Sequence, residues 1–225
     1  MNGKLLSQLP DFLCENELVE RLKILPNYNI NIANETMPIR LLALSELYDI
    51  YIPSQLSVDV YNKLYMALLR SIKKKENDMM VKQQRIENTT NTIQTYNGII
   101  GGADSFTIIG GSGIGKSSAI TRAISLIFGN HFIETTDPYQ RIAPFILVQC
   151  PFDSSVKSLL LEIVRILDAT LDGDYLQVAQ RYTTDRLIGF VSQICLNHVG
   201  VLIVDEIQNV VNNKNGDKLI GALTQ

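Results

Sequence analysis

One run of the chain has residue types and spacing that suit a phosphate group. Residues 110–117 read GGSGIGKS and match the pattern G-x-x-x-x-G-K-[S/T] in full. Glycines let the backbone fold tightly, so that consecutive N–H groups and the start of the following helix face an anion. Lys116 would then bridge the β- and γ-phosphates of a nucleotide, and Ser117 would bind Mg²⁺. The predicted nucleotide-binding residues are Gly110, Gly111, Ser112, Gly113, Ile114, Gly115, Lys116, Ser117 and Ser118. The alternative is a glycine-rich turn between a strand and a helix that binds no ligand.

A pair of carboxylates follows an apolar run further along the chain. Residues 201–204 read VLIV, and Asp205 and Glu206 come directly after them. In open α/β sheets, ligands bind at the carboxyl ends of the strands. We therefore expect Asp205 to hold Mg²⁺ and Glu206 to polarise the water that attacks the γ-phosphate. An apolar strand that ends in two acids is also common where a strand simply reaches a solvated loop, but the upstream phosphate motif favours a catalytic role.

The sequence also bears on the base of the nucleotide. A guanine-specific site would carry Asn-Lys-x-Asp, and the nearest approach is NKNG at residues 213–216, which lacks the acid. That stretch is interpreted as a polar turn. ATP, together with Mg²⁺, is the predicted cofactor.

The elements around these residues follow an α/β order. Short apolar runs predict strands, and apolar residues at helical spacing predict helices. The predicted strands cover residues 106–109, 145–150 and 201–204, and the predicted helices cover residues 116–128, about 155–169 and 184–197. Strand, glycine loop and helix in that order predict a P-loop NTPase domain with a parallel sheet.

The first part of the chain has a different pattern. Residues 1–95 show helical spacing interrupted by Pro10, Pro26, Pro38 and Pro53, and glycines then appear near residues 97–102. We therefore divide the chain into a helical N-terminal segment, residues 1–95, and an α/β domain, residues 96–225. A helix over residues 57–70 is expected to run into the sequence KKKE at 73–76, which we interpret as a solvated helix end.

Composition limits the classes of protein that need to be considered. The chain has 225 residues, 46% of them hydrophobic, and a net charge of −3, so it can bury a core but cannot coat nucleic acid by bulk charge. Cys14, Cys150 and Cys195 are far apart, which predicts reduced core thiols. The sequence shows neither a membrane span nor a signal peptide, so a cytoplasmic location and no membrane partner are expected.

Three stretches together resemble a known family. Residues 101–106 (GGADSF), 150–157 (CPFDSSVK) and 204–209 (VDEIQN) are similar to the TnsC/TniB family of AAA+ ATPases, which regulate DNA transposition. The resemblance covers roughly residues 38–225. Its most distinctive piece is Asp-Glu-Ile-Gln after the apolar strand.

The resemblance implies a function for the chain. Members of that family assemble ATP-dependent rings or filaments on double-stranded DNA, recruit a transposase and link it to a target-selection protein. It implies that Lys157, at the start of a helix, faces DNA, although a solvated helix-start lysine explains that residue equally well. His131 and His198 have no other candidate metal ligands beside them in the sequence, and we interpret them as structural or surface residues. Tyr61 and Tyr65 are expected in a core.

Some AAA+ elements cannot be assigned in this sequence. A sensor strand, an arginine finger and a helical lid normally follow the acidic strand, and the sequence ends at Gln225 within the next predicted helix. We therefore expect an α/β sheet that is incomplete at its C-terminus, and ATP hydrolysis that depends on elements supplied by a longer chain. Two alternatives stay open: another DNA-associated AAA+ protein such as a helicase loader, and a nucleotide-dependent interaction module that does not hydrolyse ATP.

Overall fold

A computed structural model describes residues 5–26, 29–87, 105–129, 131–136, 139–151 and 155–208. The helices are α1 (Glu15–Leu22), α2 (Met37–Ser45), α3 (Gln55–Glu87), α4 (Lys116–Ile127), α5 (Val156–Leu171), α6 (Tyr175–Ala179) and α7 (Thr184–His198). The strands are β1 (Ile133–Thr136), β2 (Tyr139–Gln149) and β3 (Val199–Asp205). The predicted helices at 116–128, 155–169 and 184–197 and the predicted strand at 201–204 are confirmed within a few residues at each end. The predicted helix at 57–70 lies within α3, which continues to Glu87, and the predicted strand at 145–150 falls in the second half of β2, which begins at Tyr139.

The chain forms two compact units that alternate along the sequence. The first unit comprises Met1–Leu9, Met66–Thr107 and Asn130–Gln225, and the second comprises Pro10–Tyr65 and Ile108–Gly129. The sheet belongs to the first unit, whereas the glycine-rich loop and α4 belong to the second. The predicted division of the chain near residue 96 falls within residues 88–104, which lie outside the described residues, and it stays a prediction.

The sheet of the first unit is mixed. Its strand order is β1-β2-β3, with β2 and β3 parallel and β1 and β2 joined as an antiparallel hairpin. The predicted parallel arrangement is therefore correct for β2 and β3 but wrong for β1. The short connection between β1 and β2 explains the difference, because a two-residue link permits only antiparallel pairing, whereas the parallel pair is joined through helices.

Helices α5 and α7 bury their apolar sides in the core of this unit. Along α5, Leu159, Ile163 and Leu167 recur four residues apart, and all three are fully buried. The helix begins where Ser155 Oγ accepts a hydrogen bond from Ser158 N at 3.0 Å. Near its C-terminal end, the carboxylate of Asp168 accepts hydrogen bonds from the first backbone N–H groups of α6, at Tyr175 and Leu176. A single acid thus fixes the start of α6.

An aromatic cluster organises the second unit. Tyr61 and Tyr65, one turn apart on α3, are buried and pack with Phe12 at ring-centroid distances of 5.9 and 5.0 Å. Their hydroxyls are also satisfied: Tyr61 accepts from Leu13 N, and Tyr65 donates to the Pro10 carbonyl. The prediction that both tyrosines lie in a core is confirmed.

Two expectations about local structure are wrong. Residues 106–109 form no strand; Phe106 is 39% exposed and Ile109 is 92% exposed. A run rich in β-formers becomes a strand only when a neighbour completes its hydrogen-bond ladder, and no described strand pairs with it. The three cysteines are all free thiols, but only Cys150 is buried and Cys195 partly so, while Cys14 is exposed just before α1.

Within the described residues, no helix combines the length and the apolar character needed to cross a membrane.

Candidate functional site

The loop at residues 110–117 adopts a conformation that only glycine accommodates easily. Gly113 and Gly115 have φ values of 78° and 90°, in the left-handed region that side chains disfavour. Gly115 is the residue before α4, which begins at Lys116, so the backbone N–H groups of the first helical turn are directed toward the loop. Those N–H groups and the positive end of the helix dipole are the features that an anion site requires, and the assignment of the loop as a phosphate site stays a prediction.

The side chain of Lys116 closes over this loop. Its ammonium donates hydrogen bonds to the carbonyl oxygens of Gly110 and Gly111, at 2.8 and 2.9 Å. The loop is exposed, and the ammonium contacts backbone groups of the loop and forms no ion pair with any described residue. A phosphate at the loop would therefore meet a positive charge already held beside the backbone N–H groups.

A residue that sequence reasoning missed holds the loop's helix in place. Arg122, on α4, donates hydrogen bonds through Nε to the Leu22 carbonyl and through Nη2 to the Arg21 carbonyl, both at 2.7 Å. These carbonyls lie in the last turn of α1, where helical C=O groups lack partners within the helix. Arg122 thus docks α4 on α1 by satisfying the exposed end of that helix. The available signal was an arginine in the middle of a helix whose other residues after Lys116 are apolar or carry hydroxyl groups.

The carboxylates lie at the carboxyl end of β3, as predicted. Asp205 pairs in register with Gln149, and its carbonyl accepts a hydrogen bond from Cys150 N at 2.9 Å. Its side-chain Oδ1 accepts from Glu206 N at 2.9 Å, so the carboxylate is oriented by the turn that follows the strand. Hard oxygen ligands of this kind suit Mg²⁺.

Glu206 is in an unusual backbone conformation. Its φ is 58°, a left-handed value that is uncommon for a residue other than glycine and costs of order 1 kcal/mol or more. The residue is exposed, and its carboxylate accepts a hydrogen bond from the Gln208 amide. The chain therefore places an acid, rather than a glycine, at a position that glycine would fill without strain.

The start of β3 is also closely packed. A Cβ added at Gly200 would lie 2.5 Å from the Pro144 carbonyl oxygen and 2.6 Å from Leu68 Cδ1. The preceding helix is tied to the sheet: His198 Nδ1 lies 3.0 Å from the Arg141 carbonyl oxygen, and the Gln140 amide donates to the Asn197 carbonyl at 2.6 Å. The expectation that His198 is structural is confirmed by this contact.

Lys75 lies at the same junction between α7 and β3, and its burial differs from the prediction. The sequence predicts a solvated helix end here, but Lys75 is only 8% exposed, and its ammonium donates hydrogen bonds to the carbonyls of Cys195 and Leu196, near the end of α7. Burial lowers the pKa of Lys75 to about 8. The helix α3 does not end at the KKKE run but continues to Glu87. The burial of Lys75 could not be predicted from the sequence, because the helix end that covers it is 120 residues away in the chain.

The predicted site residues thus fall into two groups. The loop residues 110–118 lie in the second unit, and Asp205, Glu206 and Lys157 lie in the first. Lys157 is the second residue of α5 and is half-buried. Among the described residues, no cluster of His, Cys, Asp and Glu side chains could hold a metal by itself. Each group taken by itself offers few protein oxygens, which suits Mg²⁺, an ion that usually keeps phosphate oxygens and waters among its ligands.

Comparison with known proteins agrees with the conformation of the loop. The sequence profile of the AAA domain family matches residues 99–224, more than half of the chain. The chain therefore belongs to this family of P-loop AAA-type ATPases, whose members generally use ATP and Mg²⁺. No curated protein matches the chain significantly.

Proposed function

We propose that this protein is an AAA+ ATPase that regulates DNA transposition, and that Mg-ATP binding switches its assembly on double-stranded DNA. The observation that carries the nucleotide part is the glycine loop, with Gly113 and Gly115 at positive φ and Lys116 held over its carbonyls. The transposition part rests on the resemblance of residues 150–157 and 204–209 to the TnsC/TniB family.

Each group has a distinct role in this proposal. The N–H groups of the loop and the Lys116 ammonium would bind the phosphates, and Ser117 and Asp205 are the residues that would hold Mg²⁺. Mg²⁺ held there would supply positive charge beside the phosphate oxygens. Glu206 accepts a proton from the attacking water, and its exposed position at the end of β3 leaves its carboxylate accessible.

Self-association or partner binding is supported by an apolar surface of the second unit. The helix α2 has no buried residue, and Leu41, Leu42 and Leu44 are each more than half exposed. Nearby, Leu47 and Tyr48 are also exposed, at 53% and 92%. Contiguous apolar surface of this kind is typical of protein interfaces. We assign it to contacts between subunits or with the transposase and the target-selection protein.

The DNA contact is assigned to the start of α5. Lys157 follows β2 after a short connection, and no carboxylate of the described residues forms an ion pair with it. A lysine without a partner can neutralise a phosphate.

The test is ATP-dependent sedimentation of the full chain with duplex DNA. Wild type should sediment with DNA only when ATP and Mg²⁺ are present, Lys116→Ala should not, and the matched variant Lys63→Ala, an exposed lysine on α3, should behave as wild type. Adding purified transposase should increase the pelleted complex. Sedimentation that ignores ATP, or that brings down a replicative helicase instead of the transposase, would contradict the proposal; the second result would indicate a helicase loader.

A second candidate is a nucleotide-dependent interaction module that does not hydrolyse ATP. The Glu206 carboxylate already accepts a hydrogen bond from Gln208, which competes with a water for the same oxygen. The two candidates differ in turnover. If DNA stimulates phosphate release and Glu206→Gln abolishes it, the enzyme is supported; if ATP drives assembly with no phosphate release, the module is supported.

A further inference from the structure

An open groove with two arginines lies on the first unit, apart from all the residues assigned so far. It is formed where α6 turns into α7, has a volume of about 450 Å³, and is lined by Gln177, Val178, Arg181, Tyr182 and Arg186. The turn is fixed by backbone hydrogen bonds, from Arg181 N to the Val178 carbonyl and from Tyr182 N to the Ala179 carbonyl, and Ala179 is fully buried. Backbone hydrogen bonds therefore define the turn on which Arg181 and Tyr182 lie.

The charges of this groove are not neutralised. Arg181 and Arg186 are both exposed, and neither forms an ion pair with a carboxylate among the described residues. The Arg186 guanidinium lies over the Tyr182 ring, 4.2 Å from its centroid, and the Tyr182 and Phe190 rings pack nearly perpendicular to each other. Stacking orients Arg186 while its N–H groups stay available.

The polar atoms of the lining select the chemistry of the ligand. The two guanidiniums are donors only, and the side-chain acceptors of the lining are the Gln177 amide oxygen and the Tyr182 hydroxyl. A phosphodiester backbone offers acceptors only, so it matches such a surface, whereas a peptide would bring N–H groups that find few partners. Base stacking is disfavoured, because Arg186 covers one face of Tyr182 and Phe190 packs against the ring. An open groove also suits a passing chain better than an enclosed small ion.

We propose that this groove binds the phosphate backbone of a nucleic acid, as a contact separate from Lys157. The inference rests on the proposed DNA association and adds a second point of attachment. Its contribution is electrostatic and independent of base sequence, because the available groups recognise phosphate rather than base edges.

The experiment compares duplex DNA binding by the full chain and two double variants, with ATP and Mg²⁺ present. Arg181→Gln/Arg186→Gln removes the groove charges. The matched control, Arg21→Gln/Arg165→Gln, changes net charge equally at arginines already paired with Glu17 and Glu162. We expect the groove variant to bind about tenfold more weakly and to reduce the salt slope of log affinity by about 1.8, since each phosphate contact contributes about 0.9. The control should keep the wild-type slope. Arg186→Lys, which keeps the charge but loses the forked donors, should fall between the two.

The other outcomes separate this proposal from the function on which it rests. If wild type binds DNA and the groove variant keeps the control's slope, the groove proposal alone is wrong. If wild type does not bind DNA, both proposals are wrong. If the groove variant loses affinity for inorganic phosphate or for a polyglutamate peptide but not for the duplex, the groove holds a free anion or an acidic partner and the backbone assignment is wrong.

Discussion

The phosphate loop and the acidic end of β3 are built in opposite ways. The loop owes its conformation to residues within a few positions of each other: glycines at positive φ and a lysine that bonds to carbonyls five and six residues before it. Asp205 owes its position to pairing with Gln149, and β3 starts against Pro144 and Leu68. A locally encoded site should survive changes elsewhere in the fold, whereas a site built by long-range packing should not.

The largest expected effect tests the packing of β3. Gly200→Ala should lower the free energy of unfolding by roughly 2 to 3 kcal/mol, because its Cβ would meet the Pro144 backbone at 2.5 Å. The control is Gly189→Ala on α7, where nothing lies within 4 Å of the added Cβ. That change should stabilise the helix by about 0.5 to 1 kcal/mol. Urea unfolding measures both, and equal losses would show that β3 is not tightly packed.

The next effect tests what holds the loop's helix. Arg122→Met should lower the free energy of unfolding by about 1.5 kcal/mol, because it leaves the Leu22 and Arg21 carbonyls without their charged donor. Arg165→Met serves as the control, because that arginine pairs with Glu162 three residues away on an exposed surface. Arg165→Met should change the free energy of unfolding little, because exposed ion pairs contribute little to stability. If thermal melting shows the same loss for both variants, α4 is not anchored through Arg122.

A pH effect of roughly 1 kcal/mol tests the junction between α7 and β3. The folded pKa of Lys75 is about 8, below the ordinary lysine pKa of 10.5, so between these two values the unfolded chain binds more protons and stability rises with pH. Burial raises the pKa of Cys195 from 9.0 to about 11, which lowers stability with pH in that higher range. Above about pH 9 the titrations of Lys75 and Cys195 therefore have opposite effects on stability. The net rise in stability should appear between pH 8 and pH 9.

Lys75→Met should remove this rise, while Lys73→Met, at an exposed position on the same helix, should keep it. The midpoints of urea unfolding of wild type and both variants at pH 8 and pH 9 measure this rise in stability. A rise that persists in Lys75→Met would mean that another group is responsible.

The smallest effect concerns Glu206. Replacing it by glycine should raise the free energy of unfolding by about 0.5 to 1 kcal/mol, because glycine adopts a φ of 58° without strain. Glu206→Gln should leave stability unchanged, since glutamine meets the same restriction. Both should lose DNA-stimulated phosphate release. If Glu206→Gly is less stable than wild type, the strained backbone is not a cost of placing an acid there.

The sequence predicted those parts of the fold that depend on local pattern. Apolar spacing located α4, α5 and α7, and the run at 201–204 located β3, because each signal lies within a single element. The glycine loop at residues 110–117 could be predicted from the sequence for the same reason. The prediction failed at residues 106–109, where β-propensity was present but the ladder partner was not.

Other features depend on contacts that no local pattern reveals. Lys75 is buried by the end of α7, and Arg122 bonds to carbonyls a hundred residues earlier in the chain. The arginine groove was missed because its members are split between α6, a turn and α7. The sequence RYTTDR at 181–186, with two arginines and an aromatic residue, was the available signal.

The most direct test of the nucleotide site is calorimetric titration of Mg-ATP into wild type, Lys116→Ala and Lys63→Ala. Wild type and Lys63→Ala should bind with equal affinity, and Lys116→Ala should bind at least about tenfold more weakly, because it loses the cation held over the loop. Equal affinity of Lys116→Ala and wild type, or no binding of Mg-ATP by wild type, would contradict the assignment of residues 110–117 as the phosphate site.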